Sequence, residues 1–132
     1  MKAPVFLGVE DVLHIHEHGI ALGGGSLGLR DNSLLESAVA MPQAGFGGEY
    51  LHTDIFEMAA AYLFHIVMNH PFIDGNKRAG FSTALAFLDL NGIEVLMSQT
   101  EAYNLVIGVC EGTITKQQLA AAFRDHAVPL AE

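Results

Sequence analysis

Two long apolar segments that meet at one short polar loop constrain this chain more than any other feature. Residues 55–69 are apolar on nearly every side (Ile55, Phe56, Met58, Ala59, Ala60, Leu63, Phe64, Ile66, Val67), and residues 75–91 are similar (Phe81, Ala84, Leu85, Phe87, Leu88). A helix that is apolar all round has to be buried. The two segments are therefore expected to form the spine of an all-α fold, a single compact domain over residues 1–132 with about six helices around this central pair. The stretch between them is His70-Pro-Phe-Ile-Asp-Gly-Asn-Lys-Arg-Ala-Gly80. Pro71 cannot continue a helix and disfavours helical geometry at His70, so the first segment should stop near Asn69 and the second should open at Gly75-Asn76. Phe72 reads as an anchor that pins the loop to the core. A loop slung between two buried helices is held rigidly, as catalytic groups need to be.

The loop carries an imidazole, a carboxylate, a carboxamide and two cations within nine residues. The free backbone N–H groups that begin the second helix carry partial positive charge, and Lys77 and Arg78 lie one turn in. That arrangement suits anions, phosphate above all. Asp74 beside an anion site makes sense if a divalent cation bridges it to phosphate, because Mg²⁺ takes one or two carboxylates together with phosphate oxygens. His70 is then a candidate general base or nucleophile. Charge sharpens this reading. The chain has six Lys+Arg against fifteen Asp+Glu, a net charge of −9, which argues against direct nucleic-acid binding, since that needs a cationic face. Lys77 and Arg78 are a third of all the cations, and adjacent cations at a helix start oppose its dipole unless an anion binds there.

The remaining segments read mostly as helices and connectors. Residues 9–21 place Val9, Val12, Leu13 and Ile20 on one face. His14 and His18 share a face there and could bind a metal, but no third ligand stands at a recognisable spacing. Gly23-Gly-Gly-Ser26 forms a connector. Asp31, Asn32 and Ser33 are N-cap candidates for a helix over residues 34–40, with Ser33 and Glu36 spaced as a capping box, and Pro42 follows it. Residues 43–52 lack helical period and carry Phe46 and Tyr50. Asp54 with Glu57 suggests a capped start. His65, inside the spine, reads as a hydrogen-bonded interior histidine, and Cys110 as a core residue. Residues 93–97 form an extended link; Ser98 with Glu101 and Thr115 with Gln118 cap the last two helices; the tail after Val128-Pro129 is expected to fray, and no sheet is expected. No apolar run reaches the ~18 residues needed to span a bilayer. No secretion signal is recognised, and the single cysteine suits a reducing, cytoplasmic setting.

His70-Pro-Phe-Ile-Asp-Gly-Asn-Lys-Arg78 resembles the Fic/Doc signature, H-x-F-x-D/E/N-G/A-N-G/K-R. The resemblance extends over about residues 9–123. It is closest to the Doc (death-on-curing) branch of toxin–antitoxin toxins, through Gly28-Leu-Arg-Asp31, Leu34-Leu-Glu-Ser-Ala38, Met41-Pro-Gln43 and Phe87-Leu-Asp-Leu-Asn-Gly92. It implies that His70 takes a proton from a target hydroxyl, that Asp74 holds Mg²⁺, and that Gly75, Asn76, Lys77 and Arg78 cradle the phosphates of ATP. It also implies that residues 43–52 form a flap where the protein target docks.

The group transferred depends on Lys77. Most Fic proteins transfer AMP and carry Gly-Asn-Gly-Arg with a second Arg three residues on; here that place is Phe81. Doc proteins share the Lys and lack the second Arg, and phosphorylate elongation factor Tu on a Thr, stopping translation. The resemblance therefore implies a toxin-like protein kinase. The alternatives are an AMP transferase, favoured by Gly75 where Doc proteins have Ala, and a catalytically silent nucleotide-binding module. A third is metal-dependent hydrolysis through His14, His18 and His70. An antitoxin partner is expected to cover a groove near the active site. The family's self-inhibiting motif, S/T-x-x-x-E-G/N, is half present: Glu111-Gly112 matches, but Ile107 stands where Ser or Thr is required.

Overall fold

The computed structural model of the protein describes residues 3–131. Its helices are α1 (Val9–Gly23), α2 (Asn32–Ala40), α3 (Ile55–Asn69), α4 (Asn76–Leu90), α5 (Gln99–Glu111) and α6 (Lys116–Asp125). A 3-10 turn (Met41–Gln43) follows α2 and leads into a hairpin of β1 (Gly45–Phe46) and β2 (Glu49–Tyr50); β3 (Ile93–Val95) and β4 (Ala127–Pro129) pair antiparallel. The all-α bundle expected from the apolar segments is present, with α3 at its centre against α2, α4 and α6. Residues 58–63, Ile66 and Val67 of α3 are buried, as are Ala79, Gly80, Thr83, Ala84, Phe87 and Leu88 of α4. Gly80 allows the close approach of these two helices, since a Cβ there would lie 3.2 Å from the Leu63 carbonyl oxygen and 3.0 Å from Val67. Tyr62 ties the N-terminal segment to this core. Its buried hydroxyl donates to the Leu7 carbonyl and accepts from the Leu7 N–H, both at 2.9 Å, and burial pushes its pKa up to about 12. No helix among the described residues is long and apolar enough to cross a membrane.

Capping follows the sequence at three of the four starts it indicated. Asp54 accepts from Glu57 N–H, and the boxes of Ser98 with Glu101 and Thr115 with Gln118 both close. For α2 the cap is Asp31, which accepts from Leu34 N–H, while Glu36 accepts from the Asn32 side chain rather than closing a box with Ser33. The helix starts two residues early because Asp31 takes the extended geometry of an N-cap (φ −155°, ψ 109°). The tail also differs from expectation. Residues 127–129, for which no strand was expected, pair with β3, and in the tail beyond them Leu130 N–H donates to Gly92 O instead of fraying, so the extended link after α4 finds its ladder partner. The unpaired backbone groups of a lone extended link are satisfied this way.

His65 is the hydrogen-bonded interior histidine expected. Lys116 Nζ lies 3.0 Å from His65 Nε2 and 3.3 Å from His52 Nε2. Burial, then Lys116, then His52 lower the His65 pKa to about 4 from 6.5. Burial first and Lys116 second lower that of His52 as well. As the pH falls from about 6.5 toward about 4, the unfolded chain takes up a proton at residue 65 that the folded chain refuses, so stability falls across that window. Denaturant midpoints measured through it should drop toward acid, and His65→Gln should flatten the drop. A second prediction concerns the start of α4, where Gly75 is left-handed (φ 80°, ψ 20°) and a Cβ would come 3.1 Å from Ile20 Cδ1. Gly75→Ala should cost about 1–2 kcal/mol in chemical denaturation.

Candidate active site

The site is built where α3 stops. His70, its C-cap, is left-handed (φ 52°, ψ 53°) and is the one non-glycine residue with positive φ among the described residues. Pro71 forbids further helix, so the last carbonyls of α3 need outside partners. Arg30 supplies them: its Nε donates to His70 O at 2.7 Å and its Nη2 to Asn69 O at 2.9 Å. Backbone pairing reinforces the grip, with Arg30 and Asp31 N–H donating to Pro71 O, Ile73 N–H to Gly28 O, and Leu29 bridging Phe72. The Gly28–Asp31 segment is thus the brace that holds His70 in place.

Asn76 fixes the imidazole from the other side. Its buried carboxamide accepts Phe72 N–H at Oδ1 (2.9 Å), which orients the amide. Nδ2 then donates to Phe72 O (2.9 Å) and to His70 Nδ1 (3.1 Å). His70 Nδ1 is accordingly the acceptor, and the neutral ring holds its proton on Nε2. Both carboxamide hydrogens are spent, so this side chain offers no free donor to a phosphate; the Asn76 backbone N–H remains.

Asp74 is exposed and ionised. Its Oδ2 accepts Ser26 N–H at 3.0 Å and its Oδ1 accepts Gly75 N–H at 2.9 Å, and these bonds, led by Ser26, hold its pKa below the usual carboxylate range. The approach of Ser26 requires Gly25, where a Cβ would collide with the Asp74 carboxylate. His16 supports the same residue from beneath. It is buried, stacks on Phe72 at 3.8 Å between ring centroids, and sets Nε2 2.7 Å from Asp74 O. Sequence reasoning singled out the exposed neighbours His14 and His18 and missed His16, although Val12, His16 and Ile20 share one i, i+4 row on the buried face. No group of three or more metal-ligating side chains comes together among the described residues, and His16, between His14 and His18, is turned to Asp74 O instead. Arg30 was quoted only as part of a resemblance, and nothing local in its segment signals the brace.

The N-terminus of α4 has no side-chain cap. Ala79 N–H is bound by Gly75 O, which leaves the N–H groups of Asn76, Lys77 and Arg78 as the open donors of the first turn. Lys77 is exposed and has no hydrogen-bond or carboxylate partner among the described residues. Arg78 is partly committed, donating from Nη1 to Gly19 O and from Nη2 to Gly24 O, both at 2.9 Å, at the end of α1. His70, Asp74, Gly75, Asn76, Lys77 and Arg78 together line one open cavity of about 520 Å³, walled by Val67, Met68, Ile73 and Cys110. Every residue the sequence nominated for the site is therefore at this cavity. Cys110, expected in the core, is half-buried and reaches its wall. The open amides and Lys77 fit a phosphate chain, and one ionised carboxylate at their edge fits Mg²⁺ shared with phosphate oxygens. Glu111 simply ends α5, and Gly112 is its left-handed cap.

Comparison with known proteins agrees with this geometry. The Fic/DOC family model matches residues 6–88. The chain is 34% identical over 115 residues to the protein kinase Doc of Escherichia phage P1, which covers 87% of this chain and 90% of that protein. It is 40% identical over 90 residues to the toxin Doc of Mycolicibacterium smegmatis, covering 68% of this chain and 67% of that one. A His-loop-Asp junction over an uncapped helix, a family match across more than half the chain, and two relatives that both bear the Doc name lead to one assignment: the chain belongs to the Fic/Doc family, in its Doc branch.

Proposed function

We propose that this Doc-type toxin is a protein kinase that moves the γ-phosphate of ATP to a Thr hydroxyl of a translation factor such as elongation factor Tu. The observation that carries the reading is the junction itself, with His70 held beside the uncapped start of α4 and Lys77 free at the same cavity. The N–H groups of Asn76, Lys77 and Arg78 would hold the phosphates, with the Lys77 ammonium neutralising their charge. Asp74 would hold Mg²⁺, whose chemistry is to shield charge on the phosphoryl oxygens. The acceptor hydroxyl gives its proton to His70 as its oxygen bonds to the γ-phosphorus, and ADP leaves with the electrons of the broken P–O bond. Base catalysis through Nε2 includes a change of tautomer, because the structure has the lone pair at Nδ1, on Asn76. The hairpin of β1 and β2, with Phe46 94% exposed at its tip, would present the target segment, and a cognate antitoxin would restrain the toxin in the cytoplasm by covering the site.

Gly75 favours a second reading, AMP transfer, because it matches the glycine of AMP-transferring Fic proteins. Incubation of elongation factor Tu with ATP labelled at either the γ or the α phosphorus separates the two. Label from the γ position alone, with a phosphate adduct by mass spectrometry, is expected. Label from the α position would replace kinase with AMP transfer, and ATP binding without either product would leave a silent module. His70→Ala should lower either activity by roughly 10²–10⁴-fold, the range of general-base catalysis.

A further inference from the structure

Of the three histidines on α1, only His16 is buried, and no step of the proposed phosphoryl transfer uses it. Its ring lies flat on Phe72, 3.8 Å between centroids and 2° from parallel, which fixes its plane. Nε2 stands 2.7 Å from Asp74 O. A carbonyl oxygen can only accept, so Nε2 carries a proton and donates it. That carbonyl belongs to the peptide joining Asp74 to Gly75, and the Gly75 N–H is the other end of the same planar group. The Gly75 N–H donates to Asp74 Oδ1 at 2.9 Å, while Ser26 N–H donates to Oδ2 at 3.0 Å. In a trans peptide the C=O and N–H point opposite ways. Holding the oxygen therefore aims the N–H, and the N–H in turn holds the carboxylate.

Residue 75 does not choose this orientation by itself. Gly75 sits at φ 80°. Turning the peptide over would carry that angle to about −100°, which sterics also allow, and glycine takes positive and negative φ with similar ease. The choice falls to the hydrogen bonds of the peptide. One of them stays within residues 74 and 75, and the other comes from His16. Helix α1 packs directly on this peptide: a Cβ on Gly75 would lie 3.1 Å from Ile20 Cδ1 and 3.5 Å from His16 Nε2. We propose that His16 is a positioning residue of this site. By holding Asp74 O it keeps the 74–75 peptide from turning over, and so sets how the Asp74 carboxylate meets a divalent cation at the cavity. The hold on the peptide needs no nucleotide. Its consequence for the cation rests on Asp74 being the Mg²⁺ ligand of the proposed function.

Two variants of the full ¹⁵N-labelled chain separate the hydrogen bond from the packing. His16→Phe keeps a ring against Phe72 and removes the donor; His16→Gln keeps a donor and removes the ring. The first readout is the Gly75 amide without ligand. In His16→Phe it should exchange with solvent about tenfold faster, as expected when a charge-assisted hydrogen bond is lost, and His16→Gln should restore the wild-type rate. The second readout is ATP affinity with Mg²⁺ and with EDTA. The tightening by Mg²⁺ should persist in His16→Gln and be lost in His16→Phe, while metal-free ATP affinity stays the same in all three chains. A wild-type Gly75 amide in His16→Phe, or no recovery in His16→Gln, overturns the proposal. Should wild-type ATP affinity ignore Mg²⁺, the metal reading of Asp74 fails, and the Gly75 amide still decides the role of His16. Should His16→Phe not fold, the wild-type ring decides. In its neutral form it should carry the proton on Nε2, and a proton on Nδ1 instead counts against the inference.

Discussion

The grip of Arg30 on the last two carbonyls of α3 is the contact on which the site depends. A left-handed histidine followed by proline is a strained way to end a helix, costing about 1–2 kcal/mol at the backbone. The strain persists only because the geometry is fixed from several directions. Arg30 holds the carbonyls of Asn69 and His70, the Gly28–Asp31 backbone pairs with residues 71–73, and Asn76 clamps Phe72 from within. What the strain achieves is placement. The chain reverses within six residues, so the imidazole that leaves one buried helix stands beside the open amides that begin the next.

The cations of this acidic chain divide by where they sit on helices. Arg30 lies on the carbonyl end of α3, and Arg78 on the carbonyl end of α1; in both places helix dipole and positive charge agree. Arg124 pairs with Asp54 at 2.9 Å, an exposed ion pair of small consequence for stability. Lys77 and Lys116 are the opposite case. Each stands in the first turn of a helix, against the dipole, without a carboxylate partner among the described residues. Arg30 and Arg78 hold backbone in place, and Lys77 and Lys116 stand at cavities.

Most of the bundle was legible because it rests on period and punctuation. The all-round apolarity of residues 55–69, the break at Pro71 and the boxes at Ser98 and Thr115 are local signals, and the chain obeys them. The pairing of residues 93–95 with 127–129 was not legible. Neither segment is long or strongly alternating, and each becomes a strand only because the fold brings the other alongside. The cap of α2 was legible only as a choice of three: Asp31, Asn32 and Ser33 can all serve, and backbone geometry chose Asp31 over the Ser33–Glu36 box. In the site, residues 70–78 were readable because their chemistry is contiguous. His16 and Arg30 act from 58 and 40 residues away in sequence, and only the folded chain shows what they touch. His16 had left a trace in its phase with Val12 and Ile20; Arg30 had left none.

The Asn76 carboxamide connects this placement to proton chemistry. Phe72 N–H forces its oxygen inward, which points Nδ2 at His70 and makes Nδ1 an acceptor. The ring is thereby aligned, yet its lone pair is turned toward the protein and its proton toward the open side. A base poised for immediate use would show the reverse. The placement of the imidazole and the open helix start thus meet in one side chain, that of Asn76, the first residue of α4. The residue that locates the imidazole also fixes its tautomer.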